Sequence, residues 1–534
     1  RYIYTGCLAG LLVSGLYGCK NLDEYNPSGV TADLVWSTPE GFVTVVNAAY
    51  SDQRNWYGKE DGIFMGESGT DLWFNREKNT YAQQLTRYTG LNALQGNPVR
   101  ATWTNLWKGI NLCNAGINRI ADAGFTDLNE RNKREGELRF LRAFYYWHIV
   151  ETWGGVMLRT QETKEPLVTA TRSSVSDFYN LIISDLEFAA ANLPLQQEWG
   201  REYSRASKKS ALGFLARALL SRAYYSSAAG NTTEANGFFT RARDVAQQVI
   251  NRKAEFGIDL HATPAELWDY ASNENGNNKE ALYTVSISTN TGLNIEDNAN
   301  RVFMTFQSPY TGDLKPALVA SVQYGLDSER RLMPTLSLLD YFDETEDARY
   351  NASFQEVWIA NSIDPFQWTT ESVTKFQKNP SLTGMVIRPG VDTALYITKK
   401  RITNEAFRPY IVIDRDSIYG ADRKIKAGTR DYVTLKKFMD PGRATPSSRV
   451  GTRDIIVMRL AEVYMIIAEA EFQLGNSGAA ATAINVLRTR AALPGKEGDM
   501  QISAGDISTS FILEERGREF CGEYMRWFDL KHML

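Results

Sequence analysis

Glu514, Glu515, Arg516, Arg518, Glu519, Glu523, Arg526 and Asp529 crowd one stretch near the end of the chain. Carboxylates interleaved with guanidiniums could build an acid–base site, one carboxyl pushed up to donate a proton while another stays ionised. The spacing argues for a different use. Glu515 shares a helix face with Arg518 and Glu519, and an arginine can bridge carboxylates across packed helices. The stretch therefore reads as a structural ion-pair network, with Trp527, Phe528 and Leu530 burying beside it.

The rest of the chain offers little to a catalyst. His148, His261 and His532 are the only histidines. None stands in a local motif with another His, Cys or carboxylate at metal-ligand spacing. His148, inside Arg142-Ala143-Phe144-Tyr145-Tyr146-Trp147-His148, reads as a helix residue with a satisfied hydrogen bond. A glycosidase needs two carboxyls facing each other across a cleft, and no such pair stands out among the abundant Asp and Glu. A phosphate-cradling glycine loop and a nucleophile elbow are both missing. No catalytic residue, metal or cofactor is expected.

Of the four cysteines, Cys113 and Cys521 sit in apolar helical patterns and read as buried free thiols. Cys19 is different. An apolar, small-residue run from Ile3 to Gly18 ends at it, which resembles a bacterial lipoprotein signal. In that chemistry the thiol takes a thioether lipid, the peptide is cut just before it, and the new amine is acylated. The run is too short to span a bilayer comfortably and gives way to Lys20-Asn21-Leu22-Asp23-Glu24. The expectation is a signal over residues 1–18 and lipidation at Cys19. A cleaved secretory peptide with an incidental Cys19 is the alternative, and both export the protein.

At 534 residues, 43% hydrophobic and 23% charged, the chain has the balance of a globular protein. A net charge of −4, with both signs mixed throughout, argues against a nucleic-acid surface.

Helices must carry most of this chain. Thr38-Pro39 caps an apolar face of Phe42, Val45, Val46, Ala49 and Tyr50. Further stripes run through Trp103–Ile120, Leu138–Ile149, Phe178–Leu193, Leu212–Tyr225 and Phe239–Ile250. Gly154-Gly155 stops the second of these, and Ser174 with Asp177 forms a capping box at the start of the third. Residues 457–474 and 477–492 read as a helix pair joined by Gly475-Asn476, of the tetratricopeptide kind. Between Asn273 and Arg453 the texture changes to Asn, Thr, Ser, Gly and Pro with short strand-like runs. The fold class is thus mainly α: tetratricopeptide-like helix pairs forming a platform, with irregular loops and small β-sheets on one face.

Two segments mix aromatic rings with planar polar groups outside the helical stripes. One holds Trp73, Phe74 and Asn75, with Tyr81 beyond; the other holds Asn300, Arg301 and Phe303, with Gln307 and Tyr310 beyond. Rings that stack on the CH face of a sugar, beside amides or guanidiniums that pair with its hydroxyls, make a carbohydrate site. The two segments are expected to share one exposed ligand surface. The alternative is that Trp73 and Phe74 fill a core beneath a loop.

Several segments resemble the SusD/RagB family of outer-membrane lipoproteins. They are Leu138-Arg139-Phe140-Leu141-Arg142-Ala143-Phe144-Tyr145-Tyr146 with Trp153-Gly154-Gly155-Val156, then Thr171–Val175 with Ile183–Leu186 and Asn192-Leu193-Pro194. Arg459–Tyr464 with Ala468-Glu469-Ala470, Ile484–Ala491, and Glu514–Phe520 with Glu523 and Arg526–Lys531 complete the ordered set. The resemblance implies an N-terminal helical region over 19–272 and a C-terminal region over 273–534. The latter divides into a loop-rich ligand face, 273–453, and closing helices, 454–534, with the two regions packed as one body. It also implies a cell-surface protein, lipid-anchored in the outer membrane, that captures a glycan without chemistry and delivers it to a SusC-like TonB-dependent transporter. A peptide-binding uptake lipoprotein of the RagB type and a helix-repeat protein-interaction scaffold are the alternatives. A secreted hydrolase would need a cleft with convergent titrating groups.

Overall fold

Capping chemistry sets where the helices begin. Thr38 Oγ1 accepts the Gly41 N–H at 3.2 Å and Pro39 opens α1 (Pro39–Ser51). The other longer helices are α2 (Glu60–Glu67), α3 (Thr80–Arg87), α4 (Val99–Arg119), α5 (Leu128–Trp153), α6 (Val175–Asn192), α7 (Lys208–Ala228) and α8 (Thr232–Asn251). After the loop-rich middle come α9 (Leu460–Gln473), α10 (Ser477–Ala491), α11 (Thr509–Phe520) and α12 (Arg526–Met533). Ser174 and Asp177 form the expected reciprocal box at α6, and Gly154, at φ +69°, ends α5 in a backbone conformation that favours glycine. This computed structural model describes residues 32–75, 80–90 and 99–534, apart from 167, 275, 291, 295–298 and 327–330.

About half of the chain is helical, and successive helices pack in pairs: α4 on α5, α5 on α6, α7 on α8, α9 on α10. The strands are short. They are β1 (Trp73–Asn75), β2 (Ala281–Val285), β3 (Leu332–Pro334), β4 (Phe354–Gln355), β5 (Val357–Ile359), β6 (Phe366–Gln367), β7 (Val386–Ile387), β8 (Thr393–Ile397), β9 (Ile411–Ile413), β10 (Thr434–Leu435) and β11 (Ile455–Arg459). They form small separate ribbons, β1–β3, β4–β10, β2–β11 and β6–β7, plus the three-stranded β5–β8–β9.

One expectation needs correction. The helix predicted from 457 begins at Leu460, because Ile455–Arg459 pairs antiparallel with β2. Met458 therefore lies on a strand. The β2–β11 ribbon rests on α7 at Gly213, where a Cβ would stand 2.6 Å from Leu282 and 3.0 Å from Met458 Sδ. A side chain there would push ribbon and helix apart.

The core is continuous across both halves of the chain. Phe140 and Phe144 of α5 meet Tyr283 of β2 at 4.8 and 6.2 Å, and Phe144 meets Phe214 of α7 at 5.4 Å. Arg217 of α7 reaches Glu462 of α9 through two hydrogen bonds of 2.6 Å in this otherwise apolar layer. Among the described residues no helix is long and apolar enough to cross a membrane.

Candidate ligand-binding surface

The charged stretch is structural in its geometry. Glu519 accepts from Arg459 at 2.7 Å, Arg490 at 2.5 Å and Arg349 at 3.1 Å, all of them buried. Glu515 takes Arg349 at 2.8 Å, Arg518 at 2.8 Å and Arg488 at 2.9 Å. Burial alone would raise the Glu515 pKa, but Arg349, Arg518 and Arg488 outweigh it and hold the carboxyl down at about 2. A carboxyl enclosed by guanidiniums and kept ionised is a brace between helices, and it has no proton to donate near neutral pH.

His148 Nδ1 lies 2.8 Å from the Phe144 carbonyl inside α5, and burial lowers its pKa to about 3. Cys113 and Cys521 are free and buried; burial pushes both thiols up, that of Cys521 to about 11.

The expected shared surface is not what the described residues form. Trp73 is fully buried, edge-on to Phe306 at 4.6 Å, and Asn75 points inward beside it. The cause is strand alternation: β1 pairs with β3, so Trp73 and Asn75 face the core and Phe74, half-exposed, faces away. Asn300 is buried, its amide donating to the Arg453 carbonyl at 2.9 Å and its carbonyl accepting from Val302 N–H at 2.9 Å. Phe303 lies beneath the Arg443 guanidinium at 4.5 Å. Tyr310 is buried and donates to the Ser321 and Gly325 carbonyls. Arg301 remains half-exposed at the rim, with Glu60 4.0 Å away and Arg331 on the same carboxylate at 3.3 Å. Burial and then Glu60 hold the neighbouring Asp61 up at about 6. The Tyr81 side chain and Cys19 lie outside the described residues.

Asn75 keeps one ligand-like property. Neither polar atom of its carboxamide has a hydrogen-bond partner among the described residues. A buried amide without a partner is costly, so a polar group is expected to meet it.

The rings that the structure does present lie next door, and the sequence reading missed them. Tyr88, just past α3, exposes 57% of its surface and stands edge-on to half-exposed Trp527 of α12 at 6.0 Å. The Tyr88 hydroxyl donates to the Gly69 carbonyl, and the Trp527 indole N–H donates to Ser68 at 2.8 Å. Arg526 grips Asp71 at 2.8 and 2.5 Å, and Tyr341 approaches the same carboxylate at 3.4 Å. Two rings and an oriented carboxylate thus share the turn 68–71, each held by a hydrogen bond. The sequence signal lay in Trp527, the one tryptophan inside the charged stretch, whose half-exposure depends on how α12 docks. What these groups can do is stack on and hydrogen-bond a ligand.

The structure is a helical platform carrying exposed rings beside oriented polar groups, with its ionisable clusters buried as braces. Comparison with known proteins places it. A model described as "SusD family" matches residues 330–532, and one described as "Starch-binding associating with outer membrane" matches residues 43–220. The chain belongs to the SusD/RagB family. It is 25% identical to SusD-like protein P2 of Formosa agariphila over 98% of this chain and 89% of that one. It is 23% identical to the starch-binding protein SusD of Bacteroides thetaiotaomicron over 99% and 90% of the two chains. Its fold matches a laminarin binding SusD-like protein with a TM-score of 0.63 at 19% identity, covering 93% of this chain and 91% of that one. It matches B. fragilis NanU at 0.62 and 17%, covering 95% and 92%.

Proposed function

We propose that this protein is a cell-surface lipoprotein that captures an oligosaccharide and passes it, uncleaved, to a SusC-like TonB-dependent transporter. The observation that carries the reading is the exposed Tyr88 ring beside Trp527 and the Arg526-held Asp71. Rings fixed on a rigid base, beside a carboxylate that accepts hydroxyl donors, suit a sugar. Family membership supports the ligand class, as do the starch and laminarin in the names of its relatives. Half-exposed Phe74 and Arg301 are further ligand contacts in this reading. Lipidation at Cys19 keeps the protein on the outer membrane.

Calorimetric titration with neutral gluco-oligosaccharides and short peptides, with product analysis of each mixture, tests the reading. Sugar binding without cleavage, weakened by Tyr88→Ala, is expected. Binding of peptides alone, or turnover abolished by one carboxylate substitution, overturns it.

A further inference from the structure

On the loop-rich side lies a second groove, lined by none of the residues around Tyr88. It is made of two clefts, of about 590 and 450 Å3, and Asn351 and Lys436 line both. Strand pairing builds it. β10 pairs with β4, which sets Lys436 beside Gln355, and the Lys436 N–H donates to Ser353 at 2.7 Å. β5 pairs with β8 and β8 with β9, which places Tyr396 between Val357 and Val412 on the outer face of the sheet.

Each end of the groove carries aromatic surface. Tyr396 and Tyr410 line one end as half-exposed rings, 6.4 Å apart at 80°. Half-exposed Trp268 lines the other, braced edge-on by Phe438 at 5.5 Å and by the Lys437 ammonium at 5.2 Å.

Every other charged side chain lining the two clefts has a hydrogen-bonding partner, the exception being Lys436. Lys400 is paired with Glu344 at 2.9 Å, and Glu344 also takes Lys399 at 3.2 Å. Glu356 accepts from the Tyr350 hydroxyl at 2.6 Å, Thr398 Oγ1 at 3.0 Å and the Lys399 N–H at 3.2 Å. Asp269 is turned onto Ser272. Lys436 makes no ion pair and no side-chain hydrogen bond among the described residues; its bonds are those of its backbone. Burial pushes its pKa down with nothing to offset the cost. An incoming anion would remove that penalty, and charge-assisted hydrogen bonds are the strong ones.

We propose that this groove binds an anionic oligosaccharide, Lys436 holding the carboxylate or sulfate of one sugar, Asn351 its hydroxyls, and Tyr396, Tyr410 and Trp268 the sugar faces on either side. The inference rests on the glycan-binding reading and adds to it a separate, charge-selective site.

The test is calorimetric titration at low salt of the wild-type protein, Lys436→Met, Lys436→Arg, Tyr396→Ala and Tyr88→Ala. The probes are a hexameric oligogalacturonate, a sulfated galacto-oligosaccharide of similar length, and a neutral gluco-oligosaccharide. Binding of at least one anionic probe is expected, weakened roughly tenfold by Lys436→Met and by Tyr396→Ala, kept within about threefold by Lys436→Arg, and reduced by added salt. Tyr88→Ala should leave that binding unchanged. The carboxylate and sulfate arms identify which anion the lysine holds. The proposal fails if neither anionic probe binds, or if Lys436→Met binds both as tightly as wild type. Neutral-sugar binding that needs Tyr88 while both anionic probes fail would sink this groove and leave the capture reading intact; absence of all sugar binding would sink both.

Discussion

Arg526 and Asp71 stand 455 positions apart in sequence and meet through two parallel hydrogen bonds, 2.8 and 2.5 Å long. The same guanidinium donates to the Leu513 carbonyl at 2.6 Å, which ties the turn that anchors the exposed rings to the last helices of the chain. Removing the carboxylate leaves a buried guanidinium short of its main partner. Asp71→Ala is expected to cost about 1–3 kcal/mol, below the figure for a fully buried pair because Asp71 is partly in water. Urea denaturation reads the loss, and an unchanged midpoint would show the pair to be idle.

Trp73 and Tyr88 make opposite predictions. Trp73 is fully buried against Phe306, so Trp73→Ala is expected to cost roughly 3–5 kcal/mol of stability. Tyr88 supports little of the core, so Tyr88→Ala should leave the melting temperature nearly unmoved. It should weaken sugar binding by roughly 1 kcal/mol, about fivefold. Thermal melts and calorimetry on the two variants check both, and a destabilised Tyr88→Ala would place that ring in the core.

The buried network predicts a pH dependence. Glu515 has its pKa lowered from 4.5 to about 2, and Glu151 likewise, where His532, Lys531 and Tyr179 outweigh burial. A carboxyl depressed in the folded state adds stability that is complete above its unfolded value and fades as pH falls through the folded one. Stability should therefore drop between pH 4.5 and about 2. Asp61, raised from 3.8 to about 6, opposes this by favouring the folded state as pH falls between those two values. Glu515→Gln should be less stable at pH 7 and show a shallower acid slope. Parallel acid curves for variant and wild type would mean that the carboxyl titrates normally.

Anchoring has its own test. Cys19→Ala should leave the protein out of the membrane fraction or uncut, and palmitate labelling that persists in the variant would move the anchor elsewhere.

The helices were legible because their signals are local. Thr38 with Pro39, Ser174 with Asp177, and Gly154 each act within one turn, and each works in the structure as read. The charged stretch was legible for the same reason: the spacing of Glu515 and Arg518 already places them on one helix face. The ligand surface was not legible. A composition of rings and amides does not reveal which way a three-residue strand turns its side chains. The pairing of β1 with β3 across the chain decided that Trp73 goes in and Phe74 goes out. Tyr88 and Trp527 come together only because α12 docks against the turn at Ser68, a contact with no signature in either segment.

That docking also governs when the fold can close. Glu67 receives the Met525 N–H at 3.1 Å, Ser68 receives Trp527, Asp71 receives Arg526, and Glu151 receives Lys531 and His532. Groups on α2 and in the turn before β1 thus take partners made hundreds of codons later, and Glu151 on α5, which Tyr179 already meets, gains two more. The first half leaves the ribosome with Glu67, Ser68 and Asp71 still waiting for their C-terminal partners. Such long-range closure slows folding and prolongs the exposure of apolar surface. Were the chain exported as proposed, the delay would have a use: a polypeptide that cannot finish folding early would stay threadable until it had crossed the inner membrane.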